Sequence, residues 1–556
     1  MSYLSFENII VYFRKEGCAS IDRDNFVLNF FINFFNFNKE VNMKIKIFSS
    51  IIVVIFTTLL VSAPYVLAKP KGTIIAAISG SPPHLDIQAN TTVEMWWPAG
   101  HVYEQLFAWG ADFAPTPMLA ESYSVSEDNL KWTIKLRKGV RFHNGNVMDA
   151  DDVLASIERW RKVSNTGKTW GNTKVKKVNS HTIQIHLEKP KGTMLNDLSQ
   201  TSMSLVIHPA EDVRGVPANE LKSFIGTGPY QFDELIPDQA VKLKSFPGYV
   251  SRGGEPNGLA GGKEALIEKI EFRVIKEPST MLAALLAGEI HVIDTLQSTD
   301  VGTVRKNPNV KTDLIKPRYW WGYSFNFARK LGANLYFRQA VQAAINHDEI
   351  AMSVTGDESL YRLDCGISHL GTFWHSTLGC RGVWDVRDQE KAKRLLKKAR
   401  YNGEELLVIG TKGNIFYDRM STVLKSQLRA VGVNVKIDWY DYATLRQVRN
   451  KKDTWDVLVG GWGTTFDPNI YKQAWYKGTG RGWADIPELS VIMDQATEAS
   501  DVNQRKMYYA DMNRIITEQI PMIKAFDGYG VRAYRKEVSG YQEGFKMTTF
   551  WNVSLD

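Results

Sequence analysis

The chain has 556 residues, 44% of them apolar and 12% aromatic, with 68 basic and 60 acidic side chains and a formal net charge of +8. That length and apolar content suit roughly two to four folded domains and exclude a disordered chain. The basic residues are scattered. Their densest run, KAKRLLKKAR from Lys391 to Arg400, spaces its alanines and leucines as one face of a solvated amphipathic helix, so no nucleic-acid surface is expected.

Residues 1–42 are rich in Phe, Asn and Ile, lack an amphipathic period and read as an extension without structural role. Residues 43–68 have a secretory layout: Lys44 and Lys46 open it, Ile47 to Val61 is apolar, and Pro64 breaks the helix. Val66 and Ala68 are the small residues a signal peptidase requires. The apolar run is short for a membrane span, which takes about 20 residues. Translation from Met43 and cleavage after Ala68 are expected, and no cysteine follows the cut to carry a lipid. Cleavage removes Cys18 and leaves Cys365 and Cys380. An oxidising compartment favours a disulfide between them, with two free buried thiols as the alternative.

Beyond Lys69, strand and helix signals alternate without a fixed repeat, which suggests an α/β architecture. LKWTIKLR (Leu130 to Arg137) alternates apolar and polar residues as a half-buried strand, and HTIQIHLEKP (His181 to Pro190) repeats the pattern. Between them RFHNGNVMDADDV (Arg141 to Val153) gathers one histidine and three aspartates. It resolves into turns at Lys138-Gly139 and Asn144-Gly145, then a helix capped by Asp149 with Asp151 and Asp152 in its first turn. Val153, Ile157 and Trp160 mark its buried side. The aspartates thus have a structural task. The enzyme alternative is an exported hydrolase using His143 with Asp149 and Asp152. It predicts loss of turnover in His143→Ala, whereas a structural role predicts a folded protein that keeps its ligand.

Farther on, Met420, Leu424, Leu428 and Val431 share a helical face over Tyr417 to Gly432, and VNVKIDWY and KKDTWDVLVGGWG follow as strands. Loops at the ends of such strands are where ligands are expected. No GxSxG, HExxH, P-loop or CxxC motif is present. His181 and His186 fall on opposite faces of a strand, and His369 and His375 flank ordinary loop, so no metal site is expected.

DNLKWTIKLRKGVRFHNGNVMDADDVLASIERW (Asp128 to Trp160) resembles the signature region of the family 5 solute-binding proteins of ABC transporters, which include dipeptide, oligopeptide and nickel receptors. YEQLFAWGADFAPTPMLAESYSVSED, FIGTGPYQFDEL, YSFNFARKLGANLYFRQAVQAAINHDEI, DQEKAKRLLKKA and IPMIKAFDGYGVRAYRKEVSGY follow in that family's order. The resemblance covers about residue 70 to the C-terminus. It implies a two-lobed, three-domain, pear-shaped binding protein with mixed sheets and a hinge. Domain I would comprise 69–103, 226–325 and 520–556, domain II 104–225 and domain III 326–519. The implied protein is a soluble periplasmic monomer with no cofactor. It would close on its ligand and dock on inner-membrane permease subunits served by cytoplasmic ATPases. A second alternative is a chaperone-like envelope protein.

In peptide-binding relatives a Trp-x-x-Asp loop supplies the carboxylate for the peptide's ammonium. Here the loop is GGWGTTFDPNIY: Trp462 matches, Thr465 stands at the aspartate position, and Asp467 precedes Pro468. Dipeptide receptors also use an arginine before the long domain III helix, and here TKGNIFYDRM offers Lys412 and, on the helix, Arg419. An unpaired buried ammonium is costly, so an oligopeptide or other solute such as an oligosaccharide or opine suits this pattern better than a strict dipeptide. The candidate ligand-binding set is Trp462, Gly461, Gly463, Thr464, Thr465, Asp467, Asn414, Phe416, Trp320 and Trp97, with Trp96, Trp321, Tyr323 and Trp475 as further aromatic candidates. No histidine lies in the Trp462 loop to favour bare nickel.

Overall fold

The computed structural model describes residues 70–556, apart from residues 91, 464–466 and 479. The extension, the leader with its cleavage site, and Cys18 lie outside the described residues. In chain order the strands that matter are β1 (Thr73–Ile78), β2 (Ala120–Val125), β3 (Lys131–Leu136), β4 (Lys174–Asn179), β5 (Thr182–His186), β6 (Tyr230–Ile236), β7 (Ala240–Ser245) and β8 (Lys269–Val274). They continue with β9 (Val292–Leu296), β10 (Val310–Phe325), β11 (Tyr361–Arg362), β12 (Leu406–Thr411), β13 (Val435–Tyr440), β14 (Val457–Gly463) and β15 (Met522–Arg535).

Among the described residues, β2, β3, β5 and β4 form a four-stranded antiparallel sheet, while the other eleven strands form one large sheet. Its order is β13, β12, β14, β10, β15, β9, β1, β8, β7, β6, with β11 pairing β15 off that path. The large sheet is mixed. β12 runs parallel to β13 and β14, and β1 runs parallel to β8 and β9. Between these parallel groups lie β10 and β15, antiparallel to each other. They have 16 and 14 residues, enough at ~3.3 Å per residue to reach from one group into the other. Their ladder slips between Ile315 and Tyr319, at Pro317, whose nitrogen has no proton to donate, and such a slip bends a strand pair.

Separate cores sit on either side of that bend. One gathers Ile74, Trp109, Leu243, Ile270 and Phe550; another, behind the small sheet, gathers Trp132, Ile134, Ile157, Trp160 and Ile185. On the other side Tyr323, Leu406, Met420, Leu424 and Phe526 pack together, next to a cluster around Trp320, Trp374, Tyr471 and Met512.

Local periodicity proves a sound guide. β3 and β5 are the two expected half-buried strands, and they pair with Trp132 opposite Ile185 and Ile134 opposite Ile183. Asp149 caps the helix Ala150–Val163: its carboxylate accepts from Asp151 N at 2.7 Å, and Asp152 accepts from Asp149 N at 2.9 Å. Val153, Ile157 and Trp160 are buried as expected. His143 also has a structural place. Its Nδ1 accepts from Gly226 N at 3.2 Å and its Nε2 donates to Gly228 O at 3.0 Å, while burial lowers its pKa to about 4. The ring ties two backbone groups together, so His143→Ala removes structure, because it leaves both without their partner.

Candidate ligand-binding site

Thr411, Tyr440 and Gly463 end the three parallel strands β12, β13 and β14. Sheets of this kind take ligands at the loops beyond such carboxyl ends. The loop after β12 runs into the helix Ile415–Ala430, whose cap Asn414 accepts from Phe416 N at 3.0 Å. β13 is followed directly by the helix Tyr442–Val448, whose cap Asp441 accepts from Thr444 N at 2.9 Å. The positive end of a 16-residue helix therefore lies at the loop cluster.

Strand alternation sorts the aromatic residues here into two faces. β14 pairs with β10 so that Tyr319 is opposite Gly463, Trp320 opposite Trp462 and Trp321 opposite Gly461. On one face, Trp320 and Trp462 have ring centroids 6.4 Å apart. Trp320 Nε1 donates to Tyr471 Oη at 3.0 Å, and that hydroxyl donates to Ile367 O at 2.9 Å. Trp462 meets Tyr471 edge-on at 5.3 Å. On the other face Trp321 and Phe416 stack at 4.7 Å, with Tyr319 edge-on to Phe416 at 5.3 Å and Tyr417 edge-on to Trp321 at 5.2 Å. Glycine makes room for this second face. A Cβ on Gly461 would lie 2.9 Å from the Trp321 indole, and one on Gly528 of β15 would lie 2.0 Å from the Tyr319 ring.

The expected site residues divide accordingly. Gly461 and Phe416 lie against Trp321 on one face and Trp462 lies on the other, all three half-buried, with Gly463 exposed at the strand end. Gly460 and Gly463 have open space where a side chain would stand. Asn414 is present but serves as a helix cap. Thr464 and Thr465 lie outside the described residues. Asp467, Trp320 and Trp97 need correcting as ligand contacts. Asp467 is buried, 2.6 Å from Arg505 and 2.5 Å from the Tyr509 hydroxyl, and it also caps the turn at Pro468–Tyr471. Trp320 is 2% exposed, and Trp97, on the helix Val93–Val102, packs into the first core, as does Trp96. Tyr323 and Trp475 are likewise buried. Arg419 donates to Ser353 O and Lys412 is exposed. Tyr319 and Tyr417 were missed, although the period of two through Tyr319, Trp320 and Trp321 already pairs Tyr319 with Trp321.

Cys365 and Cys380 are joined, closing a loop against the helix Val502–Gln519. Asn513 on that helix accepts from Ile367 N at 2.7 Å and donates to Leu378 O at 3.0 Å. Because Ile367 O holds the Tyr471 hydroxyl, the stapled loop supports the Trp320–Trp462–Tyr471 face. Replacing both cysteines by serine is expected to lower unfolding free energy by about 3 kcal/mol, the loop-closure value for 15 residues. A urea midpoint unchanged from the parent protein would contradict this. The same loop places Asp364 3.0 Å from His375 Nε2 and 3.6 Å from Lys524 Nζ, and Lys524 sits 2.7 Å from Asp527 on β15. Burial raises the Asp527 pKa to about 6 and lowers that of His369, 3.8 Å away. Among the described residues, no group of three or more His, Cys, Asp or Glu side chains could hold a metal ion.

The family model described as bacterial extracellular solute-binding proteins, family 5 middle, matches residues 114–483. The chain belongs to this family. It is 23% identical over 481 residues to the probable peptide ABC transporter periplasmic-binding protein y4tO of Sinorhizobium fredii, covering 81% of this chain and 88% of that one. It is 26% identical over 482 residues to the dipeptide-binding protein of Escherichia coli, covering 79% and 86%. The crystal structure of the ABC transporter substrate-binding protein CtaP from Listeria monocytogenes superposes with a TM-score of 0.76 at 21% identity, covering 88% of this chain and all of that one. The expected α/β binding-protein fold with mixed sheets is therefore the fold of this family 5 protein. The Sinorhizobium relative is named a periplasmic-binding protein, and no helix among the described residues is long and apolar enough to cross a membrane.

Proposed function

We propose that this family 5 protein captures a peptide-like solute between two lobes and delivers it to the permease subunits of an ABC importer. The carrying observation is the aromatic wall of Trp321, Phe416, Tyr319 and Tyr417, which meets the carboxyl ends of three parallel strands beside the register slip of β10 and β15, with Trp462 on the opposite face. Stacked rings grip a peptide backbone and apolar side chains. Asp467, the described carboxylate nearest the Trp462 loop in sequence, is neutralised by Arg505 and so does not serve a terminal ammonium. This favours an oligopeptide held along its length over a dipeptide held by its ends. The similarity to a protein named as a peptide transporter component supports the same reading.

On this reading domain I (69–103, 226–325 and 520–556) and domain II (104–225) make one lobe, domain III (326–519) makes the other, and β10 and β15 are the hinge. The protein is a monomer exported by a cleaved leader, free of a lipid anchor, a cofactor and catalytic turnover. Native mass spectrometry of protein purified without refolding should show a ladder of retained peptides, and tri- to hexa-alanine should raise the melting temperature. A ligand at a hundredfold excess over its Kd adds about 2.7 kcal/mol of stability. A single retained sugar, opine or metal would replace the peptide assignment. Turnover of an ester or amide would remove the receptor reading.

A further inference from the structure

The body that carries the small sheet meets the body that carries β12 to β14 along a narrow seam. Gly192 donates its N–H to Thr497 O at 2.5 Å, and the Ser500 hydroxyl bonds the Asn129 side chain. Val502 packs both into the core behind the small sheet and into the core around Trp320 and Tyr471. A further bond crosses near the disulfide loop, from Phe373 N to Asp112 O at 2.8 Å. At the centre of the seam there is no room for a side chain. A methyl on Gly192 would lie 1.9 Å from Ala499 O, 2.9 Å from Ala499 C and 3.0 Å from Arg505 Cδ. All three atoms belong to the opposite body.

The far side of the seam is wired to the candidate ligand loop. Thr497 donates its hydroxyl to Asn469 Oδ1 at 2.8 Å. Arg505 and Tyr509 hold Asp467. Residues 467–469 follow the loop after β14 in sequence, and Asp467 and Asn469 are each one bond from a residue that touches Gly192.

We infer that the seam at Gly192 is an interlobe latch. It holds the arrangement of lobes seen here and is coupled through Asp467 and Asn469 to the ligand loop. Asp467 is then a positioning residue that carries the state of the loop to the lobe contact. The inference rests on the two-lobed reading, but it concerns the protein without ligand.

Gly192 does not have a left-handed backbone, so an alanine suits its conformation and clashes only across the seam. That makes Gly192→Ala a selective test. Spin labels at Lys176→Cys and Met507→Cys, both exposed positions on the two bodies, report the lobe separation by double electron–electron resonance with the native disulfide closed. In Gly192→Ala the parental distance peak is expected to lose more than half its weight to longer distances, with far-UV circular dichroism unchanged. An unchanged distance distribution overturns the latch. Asp467→Asn, which keeps the shape and removes the charge, should also lengthen the distance, and parental distances there overturn the coupling to the loop. Neither outcome depends on which solute is bound, so a failed peptide assignment leaves this test intact.

Discussion

Acidification is expected to destabilise this protein by about 5 kcal/mol per pH unit between pH 6 and pH 5, levelling off toward pH 4. Five histidines carry the effect: His143 and His369, described above, and three more. His101 is fully buried, its Nδ1 donating to Trp97 O at 2.6 Å and its Nε2 accepting from Phe550 N at 2.9 Å, and burial lowers its pKa to about 3. His347 donates to Ala525 O at 2.9 Å, and His208 packs on Tyr103 with ring centroids 4.7 Å apart; burial lowers both to about 4. In the unfolded chain each takes a proton near pH 6.5. Unfolding therefore takes up protons below that value, and stability that is complete above pH 6.5 drains away as the pH falls toward 4.

Each such histidine removes about 1.4 kcal/mol per pH unit. Asp527 works the other way. Burial raises its pKa to about 6, so the folded protein keeps a proton that the unfolded chain has shed, and this contribution grows as the pH falls through 6. Five histidines less Asp527 leave a net uptake of about four protons, which sets the slope. Asp152, Asp197 and Asp313, also raised by burial, soften it at the acid end. Urea unfolding between pH 4 and pH 7 measures the slope directly. A midpoint that stays level down to pH 4.5 would refute the argument.

Arg532→Met is expected to cost 3–5 kcal/mol, the usual penalty for removing one partner of a buried ion pair. Arg532 lies on β15 with none of its side chain exposed, between Asp294 of β9 and Asp313 of β10 at 3.0 Å each. It also donates to Phe545 O and Thr548 Oγ1 at 3.2 Å. Without the guanidinium two buried carboxylates face each other, and the strands they fasten are those on either side of β15. Adding Asp294→Leu and Asp313→Leu should restore most of the loss, since apolar replacement of a whole buried network is often neutral. Recovery should appear in the urea midpoint. A single variant that loses less than about 1 kcal/mol would show that the network contributes little.

Much of this protein is local, and local means legible. Strands β3 and β5 follow from alternation over a few residues, the cap of the helix Ala150–Val163 from Asp149 and Asp152 three positions apart, and the helix Ile415–Ala430 from Met420, Leu424 and Leu428 on one face. The ordered sequence blocks were enough to reach the family. The candidate site was legible only in part. Trp462, Gly461 and Phe416 stand at or next to strand ends, where the chain itself announces a loop.

Asp467 shows where that reading stops. In sequence it sits five residues from Trp462 and looked available to a ligand, yet Arg505, 38 positions away, claims it. His143 looked removable until Gly226 and Gly228, more than 80 positions on, closed around its ring. Sequence periodicity determined the elements and their caps, because backbone hydrogen bonding and side-chain alternation act over a few residues, and the resemblance of the ordered sequence blocks gave the family. Tertiary structure alone decided which polar groups are spent inside the fold and which remain at the loop cluster, because a charge or a ring is satisfied by whatever folding brings within about 3 Å of it.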